Sequence, residues 1–176
     1  MTDDAFDFGE ESSLRDVPYR LYEPLWNQYD LSEIDLDISE WSTIKYLNDS
    51  LDDFHPDISN VPNDSGGLYL FWMKCPIITG VTEYPFYIGR ALLTKGQNLR
   101  KRTKEYFQHY QSDRDRPKIK RMIRYWGNRL YLSYHSVADN NLTEDYEKKL
   151  INSLLLPFNT RIPDSEISAS ISAFPL

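Results

Sequence analysis

The sequence predicts an α+β domain, a three-stranded antiparallel sheet flanked by helices, behind an acidic N-terminal extension. Three observations carry that reading. Three short runs rich in aromatic and β-branched residues stand at 67–74, 86–91 and 130–137. Helix-spaced segments separate the second run from the third and follow the third. Charge also divides the chain: residues 1–65 hold 17 acidic and 3 basic residues, net −14, whereas 66–176 hold 10 acidic and 17 basic, net +7.

The elements follow in order. Residues 1–16 are acidic and poor in apolar side chains, which predicts a disordered tail. Residues 17–38 scatter aromatics and prolines (Tyr19, Tyr22, Pro24, Trp26, Tyr29) and read as irregular chain packed onto something larger. The spacing of Trp41, Ile44, Leu47 and Leu51 predicts an amphipathic helix over about 39–53, with Ser39 or Ser42 as its cap. The stretch 55–66 is a loop of turn formers.

GLYLFWMK (67–74) and FYIGRA (86–91) read as two strands joined by a hairpin-like connection. Leu99, Thr103, Tyr106 and Phe107 mark a helix from about Asn98 to Tyr110. The turn QSDRDRP leads to a second helix, with Pro117 suited to its first turn and Gly127 to its end. LYLSYHSV (130–137) is the third strand. A third helix follows, with Thr143 as a capping candidate, Tyr146, Leu150, Ile151 and Leu154 on its apolar face, and Pro157 closing it. The order strand–strand–helix–helix–strand–helix spans 66–160, and residues 161–176 form a tail with no assigned element.

Composition narrows the function classes. The single cysteine, Cys75, cannot form an internal disulfide, so a reducing, cytoplasmic setting is expected. The acidic start lacks the basic-then-apolar pattern of a secretion signal. No apolar run approaches bilayer length, so no membrane partner is expected. The net charge of −7 hides a strongly basic stretch, with 12 Lys and Arg against 3 Asp and Glu within 95–129.

Gly67-Leu68-Tyr69 opens the first strand and Tyr87-Ile88-Gly89 closes the second. NLRKRTKEYF (98–107) follows, then Glu147 on the third helix, then Asn159 at the end of Pro157-Phe158-Asn159. The set, in this order, resembles the GIY-YIG nuclease family over about 93 residues. The 98–107 run is similar to the matching helix in the nuclease of bacterial nucleotide excision repair, which places the family arginine at Arg102 and its tyrosine at Tyr106. Leu68 stands for the family's isoleucine, Arg90 for the usual lysine, and about four extra residues precede the arginine helix.

The resemblance implies a divalent-metal-dependent endonuclease that hydrolyses DNA phosphodiesters with one metal, Mg²⁺ or Mn²⁺, on Glu147. The resemblance assigns a single carboxylate, Glu147, to the metal, which agrees with one metal rather than two. Tyr69 is the implied general base. Ionising a free tyrosine at neutral pH costs about 4 kcal/mol, so Tyr69 requires cationic neighbours such as Arg102 and Arg90. Tyr87 would position the water or donate to the phosphate. Arg102 would clamp the phosphate through its planar fork of donors, with Tyr106 one turn away on the same face. Asn159 would tie the chain after the third helix to the site, and His109 is an additional candidate. Without the motif, Glu147 reads as an exposed helix carboxylate paired with a nearby cation, and the strand tyrosines read as packing.

Lys101, Lys104, Lys118, Lys120, Arg121 and Arg124 are the expected DNA-backbone contacts, giving salt-dependent, largely sequence-independent affinity. RNA stays open as a substrate. Family members of this size include restriction enzymes, which commonly dimerise, so a homodimer and a defence role against phage or mobile elements are expectations; a repair or mobile-element nickase is an alternative. A catalytically silent nucleic-acid-binding module is the competing class. Residues 17–60 are read first as padding for the core and residues 1–16 stay open, with shielding of the basic face or recruitment of a protein partner as the functional readings of the extension.

Overall fold

The computed structural model describes residues 5–114 and 116–174. Four strands form one antiparallel sheet: β1 (Ser42–Lys45), β2 (Gly66–Lys74), β3 (Glu83–Ala91) and β4 (Leu130–Val137), in the order β1-β4-β2-β3. The α+β class and the antiparallel sheet flanked by helices agree with the sequence reading; the strand count is four, not three.

The extra strand replaces the helix expected over 39–53. Residues 42–45 pair with β4, Ser42 opposite Tyr134 and Ile44 opposite Leu132. Strand periodicity puts Ile44 and Tyr46 into the core together, and the Tyr46 hydroxyl donates to the Thr103 carbonyl at 2.6 Å. Thr43 and Ser133 hydroxyls meet across the two strands at 2.7 Å. The edge of β4 offers unpaired backbone groups, and filling them outweighs a weak helical spacing. Leu51, assigned to the helical face, instead sits in a turn at φ 60°.

β2 is central, paired with β3 and β4, and its side chains alternate between two cores. Leu68 packs with Ile88, Val137, Tyr146, Leu150 and Ile151 beneath α4 (Asn140–Leu154). Tyr69 and Phe71 pack with Leu99, Tyr106, Phe107, Ile119 and Met122, beneath α2 (Leu99–Gln111) and α3 (Pro117–Trp126). A strand covered on both faces accounts for the nearly unbroken apolar run in GLYLFWM.

The helix boundaries carry their own chemistry. Asn98 caps α2, its side chain accepting from Lys101 N at 2.9 Å. Asp139, not Thr143, caps α4; the buried Thr143 hydroxyl donates back to the Asp139 carbonyl at 2.8 Å. Leu155 ends α4 in the left-handed region, two residues before Pro157. The C-terminal stretch left unassigned holds α5 (Ser165–Ala173), capped by Asp164, whose side chain accepts from Glu166 N and Ile167 N.

The extension is folded over its described length. Within 1–16, expected to be disordered, Ala5–Ser13 form α1, and residues 1–4 lie outside the described residues. The carbonyls of Leu14 and Asp16 accept from the Arg121 guanidinium at 2.8 and 2.6 Å, and the Tyr19 hydroxyl donates to the Pro85 carbonyl. Farther along, the backbone N–H groups of Glu33 and Ile34 both donate to the Tyr146 hydroxyl, and Ile34 is buried beside α4. Residues 17–36 thus pack against both cores. No helix among the described residues is long and apolar enough to cross a membrane.

Candidate active site

The sheet register brings the two tyrosine motifs together. Tyr69 lies opposite Gly89, and Phe71 opposite Tyr87, across β2 and β3. Gly89 leaves the space that the Tyr69 ring occupies: a Cβ there would stand 2.7 Å from the ring's Cζ and hydroxyl oxygen. From the other side α2 lowers Tyr106 onto the pair. The Tyr69 and Tyr106 hydroxyls meet at 2.7 Å, and Tyr106 donates to the Tyr87 hydroxyl at 3.2 Å.

Two guanidiniums stack on this trio. Arg102 lies 5.4 Å from the Tyr106 ring centroid and is held by Glu105 at 2.6 Å. Arg116 lies 5.4 Å from the Tyr87 ring centroid and donates to the Tyr87 hydroxyl at 3.2 Å. Cation–aromatic contacts of this kind both orient a guanidinium and keep it near the ring face.

Beside the trio opens a cleft of about 600 Å³, lined by Tyr87, Arg90, Arg102, Arg116, Glu147 and Asn159 among others. Glu147 projects from α4 and is ion-paired to Arg90 of β3, which also reaches Glu144 at 3.0 Å. Asn159 is buried and works on the backbone: its amide donates to the Ile88 carbonyl at 2.8 Å while its carbonyl accepts from Ile88 N at 3.0 Å. This pair of hydrogen bonds pins the segment after α4 to the outer edge of β3. The residues that meet here come from β3, α2, α4, the turn before α3 and the segment after α4.

Tyr69 is placed differently from the expectation of a water-facing base. It is fully buried, and the cleft is lined by Tyr87 rather than by Tyr69 or Tyr106. Burial, reinforced by neighbouring Tyr87, pushes the Tyr69 phenol well above its ordinary range; Arg102 and the Tyr106 hydrogen bond pull it down by less. Burial likewise raises Tyr106, with Tyr69 and Tyr87 adding to it. Tyr69 and Tyr106 are therefore neutral hydrogen-bonding groups at pH 7.

That has a measurable consequence for stability. A phenol held neutral by the fold ionises in the unfolded chain near pH 10, so its contribution is intact below pH 10 and is lost as pH rises toward its folded value. Denaturant midpoints are expected to hold to about pH 9.5 and then fall, by up to about 1.4 kcal/mol per pH unit for each buried phenol. Tyr69→Phe should give a shallower alkaline limb; a limb unchanged by this substitution would refute the assignment.

The predicted DNA-contact residues divide. Lys101 and Lys104 of α2 line a second groove with Lys95 and Asn98, which shares Thr94 with the cleft. On α3 the cations are engaged internally. Lys118 donates to the Pro157 carbonyl at 2.7 Å, Arg121 holds Leu14 and Asp16, and Lys120 pairs with Asp113. Arg124 lies over the Tyr125 ring. Burial and the Arg121 charge lower the Lys118 pKa. His109 is exposed on α2 and does not line the cleft.

Arg116 and Arg161 line the cleft, and the motif reading includes neither. The signal for Arg116 was its place directly before Pro117, at the cap of α3, where a residue is held extended at the mouth of a helix.

No protein-family model, curated protein or solved structure matches this chain.

Proposed function

We propose that the chain is a divalent-metal-dependent endonuclease acting on DNA in the GIY-YIG manner. The observation that carries this reading is the convergence in one cleft of Tyr87, Arg90, Arg102, Glu147 and Asn159, residues separated by up to 72 positions, with Tyr69 and Tyr106 hydrogen-bonded behind them.

The site fits one hard cation in one way. Among the described residues no three His, Cys, Asp or Glu side chains gather, so a cage made wholly of protein ligands is not what this cleft offers. A single carboxylate, Glu147, in an open cleft suits Mg²⁺ or Mn²⁺, which retain several waters and take phosphate oxygens. Arg90 must release Glu147 for this, and Glu144 remains as its partner. When bound, the cation supplies positive charge to the phosphoryl and leaving oxygens.

Hydrolysis adds a water oxygen to phosphorus and breaks the bond to one sugar oxygen, which leaves with a proton. Arg102, braced by Glu105 and the Tyr106 face, donates to the non-bridging oxygens, where charge accumulates. The Tyr87 oxygen already accepts from Tyr106 and Arg116, so its own hydroxyl hydrogen is what it offers to water or phosphate. Tyr69 acts through Tyr106 as a positioning residue. The lysines beside Thr94 hold backbone phosphates of the flanking DNA.

The second reading, a silent DNA-binding module, is favoured by one observation: Glu147 is neutralised by Arg90 within the chain. Supercoiled plasmid incubated with the protein in Mg²⁺, in Mn²⁺ and in chelator separates the two. Metal-dependent nicking or linearisation supports the enzyme; binding without cutting in either metal supports the module.

Gly89→Ala tests the tyrosine trio. The new Cβ would drive the Tyr69 ring off its position, and a buried ring has nowhere to go. Overpacking of this kind costs about 1–3 kcal/mol, and a displacement of roughly 1 Å in a positioning group costs about 100-fold in rate. Cutting is thus expected to fall far more than the melting temperature. A variant that melts lower yet cuts at the wild-type rate would remove the trio from the mechanism.

A further inference from the structure

We infer that Arg116 is a substrate-contacting residue of this site, binding a non-bridging phosphate oxygen alongside Arg102. The inference rests on the nuclease reading and adds a residue outside the motif that carries it.

Arg116 is held where such a contact is needed. It caps α3 in an extended conformation, and Pro117, in the first turn, restricts it to that conformation. Its side chain donates to the Tyr87 hydroxyl, packs on the Tyr87 ring and lines the cleft with Arg102 and Glu147. Arg102 and Arg116 thus stand on two members of one hydrogen-bonded trio, one on Tyr106 and the other on Tyr87. A planar fork fixed on an aromatic face is suited to phosphate recognition.

The basic residues of α3 itself serve the fold. Lys118, Lys120 and Arg121 hold carbonyls or a carboxylate of this chain. Arg116, at the cap of the same helix, lines the cleft together with Arg102.

The test uses the full chain, a fluorescein-labelled DNA duplex of about 20 base pairs in chelator, and plasmid cutting in Mg²⁺. Arg116→Ala is expected to weaken duplex binding and to reduce the slope of log affinity against log salt by about 0.9, the signature of one lost phosphate contact. Its cutting rate should fall about 100-fold. Arg116→Lys should restore the slope, because the charge returns, but not the cutting rate, because the fork does not. A purely structural role would leave the slope unmoved. An unchanged slope and cutting rate in Arg116→Ala overturn the inference, as does a lost slope that lysine fails to restore. If the wild type binds but never cuts while Arg116→Ala shows the reduced slope, the nuclease reading fails and the phosphate contact stands.

Discussion

Glu147→Ala is expected to abolish metal-dependent plasmid cutting, by about 1000-fold or more, while raising metal-free affinity for DNA. The first effect follows from removing the one carboxylate that lines the cleft among the described residues; about 4 kcal/mol of lost transition-state stabilisation corresponds to that factor. The second follows from the ion pair. Arg90 loses one of its two carboxylate partners and keeps Glu144, so the cleft gains net positive charge facing the phosphates. The fold should tolerate the change, because the pair is only partly buried and Arg90 stays paired. Cutting assays in Mg²⁺ and Mn²⁺, with duplex binding in chelator, read both effects. Persisting cutting would remove Glu147 from the metal site, and a collapse of DNA affinity would make it a structural residue.

Gly67→Ala has the largest expected effect on stability. Gly67 adopts φ 148°, a region L residues rarely enter, in the strand paired on both sides. A Cβ there would stand 2.1 Å from the His135 carbonyl oxygen and 3.0 Å from Ser136 Cα, so backbone rather than a flexible side chain must move. Opening the β2–β4 pairing would disturb the strand that carries Tyr69. The cost is expected to exceed about 4 kcal/mol, a fall in melting temperature of more than about 10 °C for a chain of this size. Thermal melts followed by circular dichroism measure it; a drop of only a few degrees would show that the strand pair absorbs the clash.

The two motif glycines thus have different physical reasons. Gly67 answers a backbone conformation and a close strand approach, and Gly89 answers the volume of the Tyr69 ring. Both were visible as letters of a motif, but neither reason is legible without the sheet register that sets Gly67 against Ser136 and Tyr69 against Gly89.

Local patterning determined the elements of the basic half. Strand-forming runs with turn formers between them became β2, β3 and β4, and helical spacing with Asn98, Pro117 and Gly127 at the ends became α2 and α3. Those features are set by interactions a few residues apart, so they survive in the letters. Tertiary structure decided the rest. Residues 42–45 became a strand because β4 had an edge to fill, and Ala5–Ser13 became a helix in a segment whose exit is held by Arg121 from α3. Tyr69 was withdrawn from the cleft and Tyr87 placed at its wall, because both phenols face the same core, but Tyr69 stands on the interior strand β2 and Tyr87 on the edge strand β3. Arg116 entered the cleft and His109 did not, since a turn's direction and a helix's rotation arise from packing among elements distant in sequence. The pairing of Arg90 with Glu147, across 57 positions, is of the same origin.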